Sequence, residues 1–134
     1  MSTLQVTTIQ SNASATLPVI NDSAGTEYGR FCRAFVTFTG ATSPGTIRAS
    51  FNVSSVTKNG TGDYTVNLTN ALTDGNYSCL AWLTKDNELN DEVIYMRTTP
   101  NSTRTSSAMR LYSSYGRSPA GNFDAPTISV SFFR

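Results

Sequence analysis

The sequence predicts an all-β protein, and three observations support this expectation. Ser, Thr and Asn occupy 48 of the 134 positions, whereas charged residues make up only 14% of the chain. That composition suits strands and turns better than helices, which favour Glu, Lys, Gln and Ala. Apolar and polar residues alternate in several short segments separated by turn residues, and no segment has a helical period. We therefore expect a small antiparallel β-sandwich or open barrel of six to eight short strands.

The length of the chain, 134 residues, predicts one folded domain. Residues 1–30 contain one short alternating piece, with Leu4, Val6 and then Ile9, and are otherwise mostly small and polar. We expect them to form an extended N-terminal arm that attaches the protein to a larger partner, and residues 31–134 to form the β domain. The N-terminus lacks the pattern of a secretion signal, and no stretch has the ~20 apolar residues of a membrane span. We expect a soluble protein made in the cytoplasm, without membrane insertion.

Two alternating segments begin the β domain. In residues 31–39, four side chains share one face: Cys32, Ala34, Val36 and Phe38. Phe31 and Phe35 lie on the opposite face of that segment. In residues 46–56, four more apolar side chains are in phase: Ile47, Ala49, Phe51 and Val53. Both segments are predicted to be strands, the first covered on both faces at one end and the second half-buried.

The segment KNGTGDYTVNLTN, residues 58–70, predicts a β-hairpin. Asn59-Gly60 suits the positive φ values of a tight turn, and a β-branched residue at Gly60 is therefore expected to impair folding. A second corner at 73–76 leads to the strand YSCLAWLT, in which Leu80 and Trp82 oppose the other apolar side chains. We expect these three consecutive strands to form a meander. Further strands are predicted in VIYMRTT, SSAMRLYSS and PTISVSFFR.

The residues needed for most enzyme chemistry are missing from the chain. It contains no histidine, which removes the commonest general base, the Ser-His and Cys-His nucleophile pairs and every His-ligated metal site. Most acids lie in turns or in the loop 85–92, which lacks the glycine of a calcium-binding loop. No glycine-rich phosphate loop precedes a helix, and the cysteines lack CxxC spacing. We expect no catalytic residue, no metal site and no cofactor.

Charge and cysteine content limit the remaining possibilities. The net charge of +1 argues against a nucleic-acid binder. Residues 97–134 nevertheless carry five Arg and one acid, which suits contact with anionic sugars or a neighbouring subunit, although solvated arginines are the simpler explanation. Cys32 and Cys79 each lie inside a strand-like pattern. We expect them to be reduced and buried, although one disulfide is the alternative.

Recognition is the function class that the composition leaves open. Exposed aromatic rings stack on the apolar faces of sugars, and binding residues concentrate in loops such as 111–126. The candidate receptor-binding residues are Trp82, Tyr112, Tyr115, Arg117 and Phe123. Packing in the core or at a subunit interface is the alternative for Trp82, and core packing is the alternative for Tyr112 and Phe123.

Residues 29–82 resemble a known module. The resemblance lies in GRFCRAFVTFTGA, residues 29–41, and in GTIRASFNVSSVTKNGTGDYTVNLTNALTDGNYSCLAW, residues 45–82. It is similar to a β-module of bacteriophage virion proteins, found at the C-terminal end of tail fibres and in small structural proteins, and common in cyanophages. Phe35 and Thr37 stand where that module usually has Trp and Asn, and Leu72-Thr73 stands where Met-Pro is common.

The resemblance implies a non-enzymatic virion protein, a homotrimer displayed on the particle surface. One reading is a tail-fibre-type appendage that contacts the host cell surface, including host glycans. The alternative is a capsid decoration, cement or head-fibre protein, whose arm binds the major capsid protein through Leu4, Val6 and Ile9. A free carbohydrate-binding lectin is a third possibility.

Overall fold

The computed structural model describes residues 20–21, 23–29, 31–84, 94–97, 104–115 and 121–134. All regular secondary structure in these residues is β-strand, so the all-β prediction is confirmed. The described residues contain no helix that could cross a membrane. The chain divides into two compact units, Met1–Phe31 and Cys32–Arg134.

The first unit contains a short antiparallel ribbon that the sequence did not predict. Strand β1 (Ile20–Asn21) pairs with β2 (Glu27–Gly29), and Gly25 in the connection has a φ of 84°. This part of the expected arm therefore folds back on itself. The predicted attachment residues Leu4, Val6 and Ile9 lie outside the described residues.

The second unit is formed by two four-stranded antiparallel sheets. Its strands are β3 (Cys32–Thr39), β4 (Thr46–Phe51), β5 (Val53–Gly60), β6 (Asp63–Leu68), β7 (Ser78–Thr84), β8 (Ile94–Arg97), β9 (Ala108–Tyr115) and β10 (Thr127–Phe133). Sheet I has the order β4-β3-β10-β7, and sheet II has the order β5-β6-β9-β8. These eight strands agree with the predicted six to eight.

Both sheets contribute to one hydrophobic core. Alternate residues of β3 and β10 are fully buried, as the period of two predicts. Sheet II supplies the other side, where the ring of Tyr64 meets that of Phe38 edge-on, with centroids 5.3 Å apart. The largest fully buried apolar side chains are Tyr64, Phe38, Phe132, Leu111, Ile128, Val36, Val56, Val66 and Val130.

For residues 46–56, the prediction that Ala49 and Phe51 share the core face with Ile47 and Val53 is wrong because a bulge interrupts β4. Phe38 pairs with Ile47 and Thr37 with Ala49, so Arg48 is an extra residue between the two pairs. Ile47 packs against the core, whereas Ala49 and Phe51 point to the opposite face of sheet I. One added residue reverses every side chain that follows it in the strand.

Asn52 joins β4 to β5 in a left-handed conformation, with a φ of 54°. Its amide nitrogen donates to the carbonyls of Arg33 and Asn70, both at 3.1 Å, and its side-chain oxygen accepts from the Asn70 amide at 2.8 Å. This conformation suits Asn, whose side chain bonds to nearby backbone. The residue therefore fixes the crossing from sheet I to sheet II.

Replacing Asn52 with Ala is expected to lower the free energy of unfolding by about 3 kcal/mol, because both the hydrogen bonds and the tolerance of positive φ are lost. Asn52→Gly keeps the backbone conformation and loses only the hydrogen bonds, so its loss should be smaller. Urea unfolding of the two variants measures the difference. An Asn52→Ala protein as stable as the unmodified one would contradict this account.

The predicted hairpin is present, but its turn lies two residues later than expected. Strands β5 and β6 are joined by Thr61 and Gly62, and Gly62 carries the positive φ, 62°. Gly60 lies within β5 and has no positive φ, so the reason for expecting damage at that position was wrong.

The predicted three-stranded meander is also wrong. After β6 the chain crosses to sheet I, where β7 pairs with β10, while the other neighbour of β6 is β9. Leu72 and Tyr77 are buried along the crossing, and the Leu72 amide donates to the Ser106 carbonyl at 2.8 Å. These contacts with the segment before β9 hold the crossing in place.

Candidate functional site

The side of sheet I that faces away from the core forms the candidate site, which we call the aromatic face. Strand register aligns its side chains in two rows across the sheet. The first row consists of Phe51, Phe35, Ser131 and Leu80. The second consists of Ala49, Thr37, Ser129 and Trp82.

The aromatic face leaves four large apolar side chains in contact with water. Leu80 is 64% exposed, Trp82 59%, Phe51 55% and Phe35 38%. Single exposed apolar residues are ordinary on protein surfaces, but contiguous groups mark places where another molecule binds. Within the described part of the second unit, every large exposed hydrophobic side chain belongs to this face.

The shape of the aromatic face follows from the order of its strands. Leu80 and Trp82 form one ridge on β7, and the rings of Phe35 and Phe51, with centroids 6.4 Å apart, form another on β3 and β4. Strand β10 lies between β3 and β7 and contributes Ser129 and Ser131 to the two rows, so the middle of these rows is low. The face is therefore a shallow trough between two apolar ridges.

Polar groups on and beside the aromatic face already have partners. The hydroxyls of Thr37 and Ser129 lie 3.0 Å apart in the trough. At one end, Arg48 donates to the Thr127 hydroxyl at 2.9 Å and to the Pro126 carbonyl at 3.1 Å. A partner covering the face would thus leave few of these groups without a hydrogen bond, and an apolar centre with a polar rim is typical of protein interfaces.

The structure does not bring the predicted receptor-binding residues together. Trp82 lies on the aromatic face, whereas Tyr112 lies on the opposite side of the sandwich, on the outward side of sheet II, with the Arg110 guanidinium 5.5 Å from its ring centroid. Arg117 lies outside the described residues. The five residues therefore do not form one site.

Phe123 was wrongly predicted to contact a receptor, because it is only 9% exposed and belongs to the core. Its ring stacks on the half-buried ring of Tyr115, with centroids 4.4 Å apart and planes 22° apart. The Phe123 amide donates to the Ser113 carbonyl at 3.2 Å, and the Ser113 hydroxyl donates back to the Phe123 carbonyl. These bonds pin the segment along β9, which turns the ring inward.

Sequence reasoning missed Phe35, Phe51 and Leu80 as site residues, although one signal was present. Phe35 and Leu80 stand on the face opposite the core-directed residues of their strands, where a solvated strand would carry polar side chains. Phe51 was assigned to the core because the bulge at Arg48 leaves no clear mark in the sequence. The pairing of β7 with β10 then brings the three together.

Asp124 contacts three other residues, and these contacts are structural. Its carboxylate lies 2.6 Å from the Lys58 ammonium, accepts from the Gly62 amide at 2.8 Å and lies 3.0 Å from the Tyr64 hydroxyl. Burial opposes the charged form, but these donors outweigh it and hold the pKa of Asp124 below its ordinary value. Burial, together with Asp124, raises the pKa of Tyr64. This cluster ties the segment before β10 to the hairpin turn.

The cysteines are free, and their positions explain why. They lie on β3 and β7, with β10 between them, so their Cα atoms are about two strand spacings, or ~10 Å, apart, which is too far for a disulfide. Burial raises the pKa of Cys79 to about 11, which keeps it a thiol at neutral pH. The described residues also contain no cluster of three or more His, Cys, Asp or Glu side chains able to hold a metal ion.

Comparisons with protein-family models, with curated proteins and with solved structures find no match to this chain.

Proposed function

We propose that this protein is a non-enzymatic structural protein of a bacteriophage particle, a tail-fibre-type appendage on the virion surface that contacts the host cell. The observation that carries the proposal is the aromatic face, a surface suited to assembly with other copies of the chain. The resemblance of residues 29–82 to a module of phage virion proteins supports the kind of particle.

The aromatic face offers apolar surface for association with other copies of the chain, and the resemblance of residues 29–82 implies that the assembly is a homotrimer. An aromatic side chain has 150–250 Å² to bury, so the exposed parts of Trp82, Phe51, Phe35 and Leu80 together present about 400 Å² of apolar surface. That is roughly half of the ~800 Å² that each partner contributes to a stable interface. A closed threefold arrangement lets each copy cover this surface with two neighbours and stops further growth.

Sedimentation equilibrium of the full chain tests this assembly. We expect a particle of three times the 14.5 kDa chain mass, and a Leu80→Ser/Trp82→Ser variant that sediments as a folded monomer, because its ridge can no longer be buried. Ile20→Ser is the matched control, since Ile20 is 50% exposed and belongs to β1 of the first unit rather than to sheet I. An unmodified chain that is monomeric at micromolar concentration would contradict the proposal.

The other two hypotheses require different contact residues or a different oligomeric state. A capsid decoration or cement protein would use Leu4, Val6 and Ile9, which lie outside the described residues. A free lectin would keep the aromatic face open as a monomer, which is the result that the sedimentation experiment is designed to detect.

A further inference from the structure

The two edges of sheet I expose matching segments of the chain. Strand β4 forms one edge of this sheet and β7 forms the other. Every residue in 49–51 of β4 and in 80–82 of β7 is exposed. A half-buried strand covers alternate side chains, so a run of consecutive exposed residues means that both sides of the strand are open at these two places.

Strand register places the two segments in the same three rows across sheet I. Two of these rows belong to the aromatic face. The row between them points toward the core and consists of Ser50, Val36, Val130 and Ala81. Val36 is 0% exposed and Val130 1%, whereas Ser50 and Ala81, at the two ends of the row, are exposed. Sheet II therefore covers the middle of sheet I but not its edges.

The two segments lack the features that protect an exposed edge strand, which are charged residues, Pro and bulges. Strand β7, with the sequence SCLAWLT, contains no charge and no Pro. The bulge of β4 lies before residue 49, so residues 49–51 keep a regular register with β3. Arg48, the charged residue of β4, donates to the Thr127 hydroxyl and the Pro126 carbonyl, so its guanidinium lies over the sheet rather than beyond its edge. Open edges of this kind pair readily with another strand.

The directions of the two edge strands suit pairing between copies of the chain. Sheet I has four strands, and each is antiparallel to its neighbours, so β4 and β7 run in opposite directions. A copy turned about an axis parallel to the strands keeps every strand direction. Strand β7 of one copy then lies antiparallel to β4 of the next. This single contact satisfies both edges, whereas an unrelated strand would leave one edge open.

We propose that residues 49–51 of one copy pair as an antiparallel strand with residues 80–82 of the next copy, so that three copies close sheet I into one continuous sheet around their aromatic faces. The position of the apolar ridges supports this arrangement, because pairing brings Phe51 of one copy against Leu80 and Trp82 of the next. Closure leaves no edge of sheet I open. The inference rests on the proposed function, which supplies the number of copies, and it adds the contact that joins them.

Cysteine cross-linking of the full-length chain tests the pairing. Ser50 and Ala81 suit this experiment because both are small and exposed, and because three strand spacings, ~14 Å, separate them within one copy, which is too far for an internal disulfide. We expect oxidised Ser50→Cys/Ala81→Cys to run on a denaturing, non-reducing gel at three times the 14.5 kDa chain mass. Thr57→Cys/Ala81→Cys is the matched control, since Thr57 is exposed on β5 of the other sheet and should form no cross-link. The unmodified chain controls for Cys32 and Cys79.

The single variants reveal which edges pair. Ser50→Cys alone and Ala81→Cys alone should form no cross-link, and co-expression of the two should give a covalent dimer. An Ala81→Cys protein that cross-links with itself would mean that two β7 strands pair about a twofold axis, and this result would overturn the proposal.

Amide hydrogen exchange of the unmodified protein is a second measurement that needs no variant. We expect all amides in 49–51 and 80–82 to be protected, because both sides of each strand are then paired, whereas β5, an edge of sheet II, should keep rapidly exchanging amides. A trimer that neither cross-links nor protects these amides would overturn the strand pairing alone. A monomer would contradict the proposed assembly and this inference with it.

Discussion

Replacing Gly62 with Ala is expected to lower the free energy of unfolding by about 4 kcal/mol, the largest effect of any single substitution considered for this fold. The residue has a φ of 62°, which costs an L side chain energy by itself. An added Cβ would also lie 2.6 Å from the Ser113 carbonyl oxygen, and 2.7 and 2.8 Å from the carbonyl oxygen and amide nitrogen of Phe123. All three are backbone atoms, so β9 and the segment around Phe123 would have to move. Urea unfolding measures the loss.

Gly60→Ala is the matched control for this substitution. Gly60 lies two residues earlier in the same hairpin, but it has no positive φ, and a Cβ there meets no atom within 4 Å. We expect its stability to equal or slightly exceed that of the unmodified protein, because Ala restricts the unfolded chain. Equal losses in the free energy of unfolding for Gly60→Ala and Gly62→Ala would show that close backbone packing around Gly62 does not determine the turn.

Asp124→Ala is expected to cost about 3 kcal/mol, because it leaves the Lys58 ammonium, the Gly62 amide and the Tyr64 hydroxyl without their shared acceptor. The Lys58 side chain is only 14% exposed, so water replaces the lost partner poorly. Asp74→Ala is the control, since Asp74 forms an ion pair of similar length, 2.7 Å, with Arg134 on the surface. A loss at Asp124 no larger than at Asp74 would contradict this role.

The pH dependence of stability provides a second readout for Asp124. Its folded pKa lies below the ordinary value of 3.8, so the unfolded chain takes up protons first as the pH falls. The stabilising contribution is complete above the ordinary value and is lost as the pH decreases through the folded pKa. We expect the unmodified protein to lose stability more steeply below about pH 4 than Asp124→Ala does.

Local patterns were sufficient to predict much of the fold. The alternation in 32–39, 63–68 and 127–133 identified strands β3, β6 and β10, and in β3 it identified the buried residues Ala34, Val36 and Phe38. The period of two is a property of the chain itself, so it needs no knowledge of neighbouring strands. The pairing of β5 with β6 was equally accessible, because a short turn brings adjacent strands together.

The features that were missed depend on non-local pairing or on a single backbone conformation. The bulge at Arg48 changes the face of Phe51, and the crossing after β6 places β7 beside β10. Both are decided by contacts between distant segments. Leu80 and Trp82 were placed on the side of their strand opposite the other apolar side chains. Their position in one surface with Phe35 could not be predicted, because it depends on the pairing of β7 with β10.

The loop 111–126 shows why composition alone misplaced part of the site. Tyr115 and Phe123 have the residue types of a binding loop. Backbone bonds from the Phe123 amide to the Ser113 carbonyl and from the Tyr115 amide to the Gly121 carbonyl extend the β9 pairing, and the two rings stack against the core. Aromatic side chains in a loop are as useful for packing as for binding, and only the hydrogen-bond partners of the loop distinguish the two.

Electron cryomicroscopy of the purified phage particle tests the central claim most directly. The account predicts density for this chain on the particle surface, with three copies packed through Trp82, Leu80, Phe51 and Phe35. Particles that lack the chain, or density in which the aromatic face of each copy is open to solvent, would contradict it.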